Sequence, residues 1–317
     1  MSTIAIVHSS GLLGKELRET LETRRPDWSD VRLLSTREDE IGTLTEVAGA
    51  AALVTRYERD SLEGVSIAFF GGAMADNRPL LAELPPETTA VVLSLDATVD
   101  DGTPVVAGVN SEAAQGSRIL LSPHPAAVLL AHLLHPLRDF ALTEAVATLI
   151  QPASMRDDAG IQELFEQTRQ IVSMSGRTPT PVFGAQLAFN VLPAALPAGP
   201  VAAQLHAVLA GLPPAAVQIL QGAVFHSVSA SLYVRCAGQP SPQAVRKALA
   251  GHPYLEPSDK PRHLGPIDAA ANDKVLFGTV RKDEAGGGFW LWAVMDNLTR
   301  GGALNAIEVA EAIALPS

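Results

Sequence analysis

The stretch Arg118–Leu137, RILLSPHPAAVLLAHLLHPL, decides how the rest of the chain is read. Ile119–Leu121 is a short apolar run, broken by Ser122-Pro123-His124-Pro125. A helical apolar pattern then runs from Ala126 to His135. Proline fits the first turn of a helix, because the N–H it lacks would be unpaired there anyway. The reading is strand, tight turn, buried helix. In an α/β protein the turn after a strand's carboxyl end is where ligands meet the chain. A nucleophile at such a helix start would be activated by the helix dipole. Pro-His-Pro-Ala offers no thiol and, after Ser122, no hydroxyl.

Toward the N-terminus the same alternation repeats. Thr3–Val7 (TIAIV) is the continuous apolar run expected of a strand buried on both faces. After His8-Ser9-Ser10-Gly11-Leu12-Leu13-Gly14 comes KELRETLETRR, a helix with Leu17 and Leu21 on one face. Val31–Leu34, Ala52–Thr55, Val65–Phe70 and Ala90–Leu93 read as further strands. Strand and helix alternating with short loops predict a doubly wound sheet. Beyond Leu137 the pattern changes. Phe140–Ile150 is extended, Asp158–Ser173 is an amphipathic helix, Pro179–Pro200 is loop-like and Val201–Leu209 is helical. Val217–Val224 and Val228–Arg235 read as strands, and Ser241–Leu249 as a helix opened by Ser241-Pro242. Val275–Arg281 and Phe289–Met295 form a hairpin across Glu284–Gly288, and Asn305–Ala314 is a closing helix. This half predicts an α+β domain with a mostly antiparallel sheet.

Composition narrows the function. Of 317 residues, 47% are apolar, so a large core is within reach. Acidic residues (34) exceed basic ones (23), a net charge of -11, which argues against nucleic acid or an anionic membrane as partner. A single cysteine, Cys236, excludes an intrachain disulfide and a multi-cysteine metal site. No apolar run reaches the ~18 residues of a membrane helix, and no signal-peptide pattern opens the chain, so a cytoplasmic protein is expected.

Five segments, in order, resemble the aspartate-semialdehyde dehydrogenase family nearly end to end. They are SSGLLGKELRETLETRRP, QPASMRDDAGIQELFEQTR, FGAQLAFNVLP, HSVSASLYVR and DNLTRGGALNAIEVAEAI. The resemblance implies a Rossmann-type NAD(P)-binding domain, 1–137 plus 299–317. It also implies an inserted catalytic and dimerisation domain, 138–298, that forms a homodimer. The family's reaction joins NADP(H), a thiolate that forms a thioacyl enzyme, a histidine that handles the proton, and an arginine and a lysine that hold the substrate's carboxylate and phosphate. Thiolate is nucleophile and leaving group, and guanidinium clamps a carboxylate in two places.

The chain departs from that pattern at the reacting positions. Its alignment puts the cysteine on Pro125 and the carboxylate-clamping arginine on Leu220 or Gln221. The helix after Phe-Asn-x-x-Pro, PAGPVAAQLHAVLAG, carries no Lys, Arg, Asp or Glu. His226 and Gln151 remain of the catalytic set. This identifies a cysteine-less, non-catalytic branch that acts by binding a nucleotide, a metabolite or an active paralogue. The other reading is an NADP-dependent oxidoreductase with altered chemistry. Without a thiolate partner, His226 reads as a packed relic. Cys236, ten residues past His226 at a strand's end, reads as structural. His124, His132 and His135 have no carboxylate spaced with them, so no metal site is expected.

The expected cofactor site comprises Ser9, Ser10, Gly11, Leu12 and Leu13 on the glycine turn, with Ser35, Thr36 and Arg37 after the second strand. Ser35-Thr36-Arg37 is suited to a 2′-phosphate, favouring NADP over NAD. His8, however, stands where the fingerprint has its first glycine, and crowds the turn. A retained nucleotide site and a blocked one both remain open.

Overall fold

The computed structural model describes residues 3–25, 28, 30–47, 49–194, 198–285 and 287–314. The extreme ends of the expected first domain, and the middles of the stretches 179–200 and 284–288, lie outside the described residues. The chain divides into two compact units, Met1–His124 with Gly301–Ser317, and Pro125–Arg300.

The first unit carries β1 (Thr3–Val7), β2 (Asp30–Ser35), β3 (Leu44–Val47), β4 (Ala50–Leu53) and β5 (Thr55–Arg56). It continues with β6 (Val65–Phe70), β7 (Thr89–Val92), β8 (Thr103–Pro104) and β9 (Ile119–Leu121). Seven strands form one parallel sheet in the order β5-β2-β1-β6-β7-β9-β8. Its two faces explain the unbroken apolar runs. Ile4 and Ile6 pack toward Leu17 and Leu21 of α1 (Leu12–Arg24) and toward Ile307 and Val309 of the closing helix. Ala5 and Val7 point the other way, toward Met74 and Leu81 of α2 (Met74–Ala82). Strand side chains alternate faces, so only a sheet covered twice needs both sets apolar. The order reverses at β1, which has β2 on one side and β6 on the other. In open α/β sheets such a reversal leaves a ligand crevice at the strands' carboxyl ends.

The expected strand Ala52–Thr55 is divided in two. β4 pairs antiparallel with β3 in a separate hairpin, and β5 joins β2. Val54 lies between them, and its N–H donates to the Thr43 carbonyl (3.0 Å), which extends the hairpin.

The second unit opens with α3 (Pro125–Leu134), then β10 (Leu142–Gln151), α4 (Asp157–Val172), β11 (Val191–Pro193), α5 (Ala198–Val208) and β12 (Ala216–Gly222). β13 (Val228–Cys236), α6 (Pro242–Ala250), β14 (Leu255–Pro257), α7 (Pro266–Ala269), β15 (Val275–Phe277), β16 (Arg281–Lys282) and β17 (Phe289–Met295) follow, and α8 (Leu304–Ala314) returns to the first unit. The sheet runs β11-β12-β10-β13-β17-β15-β14, with β16 also beside β17. β10 with β12 and β14 with β15 are parallel, and the other pairings are antiparallel. The stretch expected as loop, 179–200, contains β11 and the start of α5. Pro193 is tolerated there because β11 lies at the sheet's edge. All ten residues of α3 are buried, and the helix packs on α5 and β13. It therefore falls in the second unit, whereas the sequence reading ends the first domain at residue 137.

β10 also shows how the second sheet is exposed. Ala145, Ala147 and Leu149 are buried, while Val146, Thr148 and Ile150 alternate with them and are more open. Val146 stands opposite Tyr233, which stands opposite Trp290. Thr148, Ser231 and Trp292 form the next row.

Candidate functional site

In the second unit the expected remnants are assembled by backbone pairing. Parallel register sets Gln151 at the end of β10 beside Gln221 of β12. Gln151 Nε2 donates to Gln221 Oε1 (2.9 Å), and Gln221 Nε2 donates to the Gln151 carbonyl (3.1 Å). Both side chains are buried. Of the two residues aligned with the missing arginine, it is thus Gln221 that faces Gln151. A neutral amide cannot supply the charge-assisted, two-pronged grip of a guanidinium.

The turn after Gln151 holds the loop that carries His226. The Ala153 N–H donates to the Val224 carbonyl (2.8 Å) and the Ser154 N–H to the Phe225 carbonyl (3.0 Å). Asn297 completes the arrangement. Its Oδ1 accepts from the Ser227 N–H (2.9 Å), and its Nδ2 donates to Ser154 Oγ (3.1 Å). One buried amide thus joins three distant segments, and it holds Ser227 at a φ of 73°. The sequence reading missed Asn297. Its only signal was its place in the DNLTRGGALN element.

His226 itself is half-buried, and no side-chain hydrogen bond orients its ring among the described residues. Pro125 is the first residue of α3 and is buried. It presents neither a nucleophile nor an N–H. Cys236 ends β13, so it stands ~25 Å along the strand from the His226 loop at ~3.3 Å per residue. Burial pushes its thiol pKa up, away from the thiolate. The assembled group can position a proton acceptor, but it contains no thiol.

In the first unit the crevice side chains meet at His8. The residue has a φ of 56°, the left-handed region that favours glycine. Its ring is 2% exposed and lies against Gly72, where an added Cβ would stand 3.2 Å from His8 Cβ. His8 Nδ1 is 3.2 Å from Ser35 Oγ, and Nε2 is 3.5 Å from Thr36 Oγ1. Ser35 gives its one hydroxyl proton to Glu40 Oε2 (2.7 Å). His8 Nδ1 must therefore donate to Ser35, which leaves Nε2 to accept. Burial lowers the His8 pKa, against the opposing pull of Glu40.

The glycine turn itself keeps features of a phosphate site. Gly14 lets α1 approach the turn so closely that a Cβ there would collide with the Ser9 carbonyl group. Gly11 supplies a φ of 86°, and buried Ser9 Oγ has no hydrogen-bond partner among the described residues. These features suit a pyrophosphate. Beside Ser35 and Thr36, the other part of the expected cofactor site, the space is taken by the His8 imidazole. Arg37, expected with Ser35 and Thr36 to meet a 2′-phosphate, donates to Asp39 (3.2 Å) and pairs with Glu40 (3.1 Å).

Two histidines of the opening stretch, His132 and His135, form a cluster with a residue that sequence spacing could not supply. The ring centroid of His252 lies 5.3 Å from that of His132 and 5.7 Å from that of His135. Tyr254 stacks on His132 at 5.1 Å and carries the Arg300 guanidinium 4.6 Å above its ring. Among the described residues no group of three or more His, Cys, Asp or Glu is arranged to hold a metal ion.

The chain is similar to known proteins over nearly its whole length. Residues 134–300 match the semialdehyde dehydrogenase dimerisation domain. The aspartate-semialdehyde dehydrogenase of Bacillus subtilis (strain 168) is 25% identical, over 98% of this chain and 96% of its own. A USG-1 protein homolog of Azotobacter vinelandii is 30% identical, over 97% of this chain and 96% of its own. Among solved structures, that of a probable aspartate-semialdehyde dehydrogenase from Pseudomonas aeruginosa superposes with a TM-score of 0.90 at 25% identity, covering 98% of this chain and 97% of that one.

Proposed function

Because the chain belongs to the aspartate-semialdehyde dehydrogenase family, we propose that it is a non-catalytic member, a homodimer with a binding or regulatory role. The observation that carries this is Pro125 at the start of α3, the place of the family's nucleophile. A proline has no group to deprotonate, so no protonation state rescues covalent catalysis. Gln221 supports the same reading, since it replaces a cation with an amide that Gln151 already holds. The open row of Val146, Tyr233 and Trp290 supports a second copy as the cover of the second sheet. An active paralogue sharing that surface would be the natural alternative partner. His8 closes the nucleotide crevice, and the NADP site of the family is lost with it.

The test is direct. The purified protein should not produce NADPH from aspartate semialdehyde, phosphate and NADP above a no-enzyme control. Pro125→Cys alone should leave it inactive, because the arginine is missing as well. Turnover by a preparation proven free of host enzyme would overturn the proposal.

A further inference from the structure

The crevice that His8 fills is also wrongly charged for the cofactor of the family. The turn after β2 reads Arg37-Glu38-Asp39-Glu40. Arg37 is shared between Asp39 (3.2 Å) and Glu40 (3.1 Å). The neighbouring Arg56 is held by both oxygens of Glu38, at 2.7 and 2.8 Å. Each cation at this end is therefore matched, and the carboxylates outnumber the guanidiniums. Glu40 is 5% exposed and accepts from Ser35 Oγ at 2.7 Å. A 2′-phosphate arriving here would have to draw Arg37 away, leaving the buried Glu40 carboxylate without its cation. The Glu40 side chain is 6% exposed and that of Arg37 47%, so the separation would strand a buried carboxylate, the costly half of the pair. A carboxylate after the second strand has the opposite effect on a free ribose, whose 2′-hydroxyl it can accept from.

We infer that the Ser35–Glu40 turn excludes a 2′-phosphate, and that the ligand class this crevice takes once room is made at His8 is an adenine dinucleotide with a free 2′-hydroxyl. The inference rests on the reading that His8 closes a nucleotide crevice, and Glu40 is its specificity-determining residue.

NADH and NADPH are titrated separately, by nicotinamide fluorescence at pH 8, into the full-length wild type, His8→Gly and His8→Gly/Glu40→Gln, each shown folded by circular dichroism. His8→Ala replaces His8→Gly if that variant does not fold. The wild type should bind both weakly. The His8→Gly protein should bind NADH at least about tenfold more tightly than NADPH, and Glu40→Gln should narrow that ratio by about tenfold. The inference is overturned if the opened protein binds NADPH as tightly as NADH, if Glu40→Gln leaves the ratio unmoved, or if folded His8→Gly and His8→Ala bind neither nucleotide. Tight NADH binding by the wild type has a different meaning. It would sink the closed-crevice reading and leave the exclusion of the 2′-phosphate standing.

Discussion

His132 is fully buried, and neither ring nitrogen has a hydrogen-bond partner among the described residues. Burial, then Arg300, His252 and His135, hold its pKa well below the ordinary histidine value. His124 is lowered to about 4 by burial alone. Both are therefore neutral in the fold, whereas the unfolded chain takes up their protons below pH ~6.5. Protons bound only by the unfolded state make stability fall as pH falls. For His124 the loss falls between pH ~6.5 and ~4 and amounts to roughly 3 kcal/mol. Thermal melts from pH 8 to 4.5 should show a falling acid limb, and His132→Leu should flatten it. At pH 8 the same variant should lie within about 1 kcal/mol of wild type, since no hydrogen bond is lost. Parallel acid limbs in the two proteins would refute this account. At this scale the sequence was legible only locally. His132 and His135 are visibly a turn apart, but His252 reaches them through tertiary folding. Asn297 was hidden for the same reason, since its partner Ser154 lies 143 positions away. Glu40 was passed over because its meaning depends on what Ser35 and Arg37 do in space.

Among the elements, β1 and β6 were the easiest to read, because strands buried on both faces leave apolar runs, broken in β6 only by exposed Ser66. Helix α2 was harder. Pro79 lies inside it, and its start is fixed by Asp96, whose carboxylate accepts from the Met74 N–H at 3.0 Å. Neither feature marks a helix in a linear reading. The hairpin of β3 and β4 escaped because strands so short give no period to count. The turn from β1 into α1 shows the opposite case, a glycine spacing with one structural explanation. Gly14 meets backbone, which cannot swing aside as a side chain would. Gly14→Ala should destabilise the protein by about 2 kcal/mol or more, through overpacking at this contact. Urea unfolding of the variant would measure it, and an unchanged midpoint would show that α1 can shift without cost.

For the molecule as a whole, the test is the second copy. A sheet with Val146, Tyr233 and Trp290 on its open face should associate at micromolar concentration, since obligate homodimer interfaces are core-like and bury ~2,000 Å² or more. Sedimentation should give a dimer, and Val146→Asp, which places a charge in that row, should give a monomer. A wild type that sediments as a monomer would exclude the assembly. Such architecture can outlast chemistry, and the segment DNLTRGGALN shows why. Asp296 Oδ1 accepts from the Leu298 and Thr299 N–H groups, and Oδ2 accepts from that of Ala271. Asn305 accepts from the Ala107 N–H and donates to the Val105 carbonyl and to Ser122 Oγ. None of these bonds needs a substrate. Selection for a folded chain alone would preserve them, so likeness to an enzyme in this segment measures inheritance of a scaffold and carries no information about turnover.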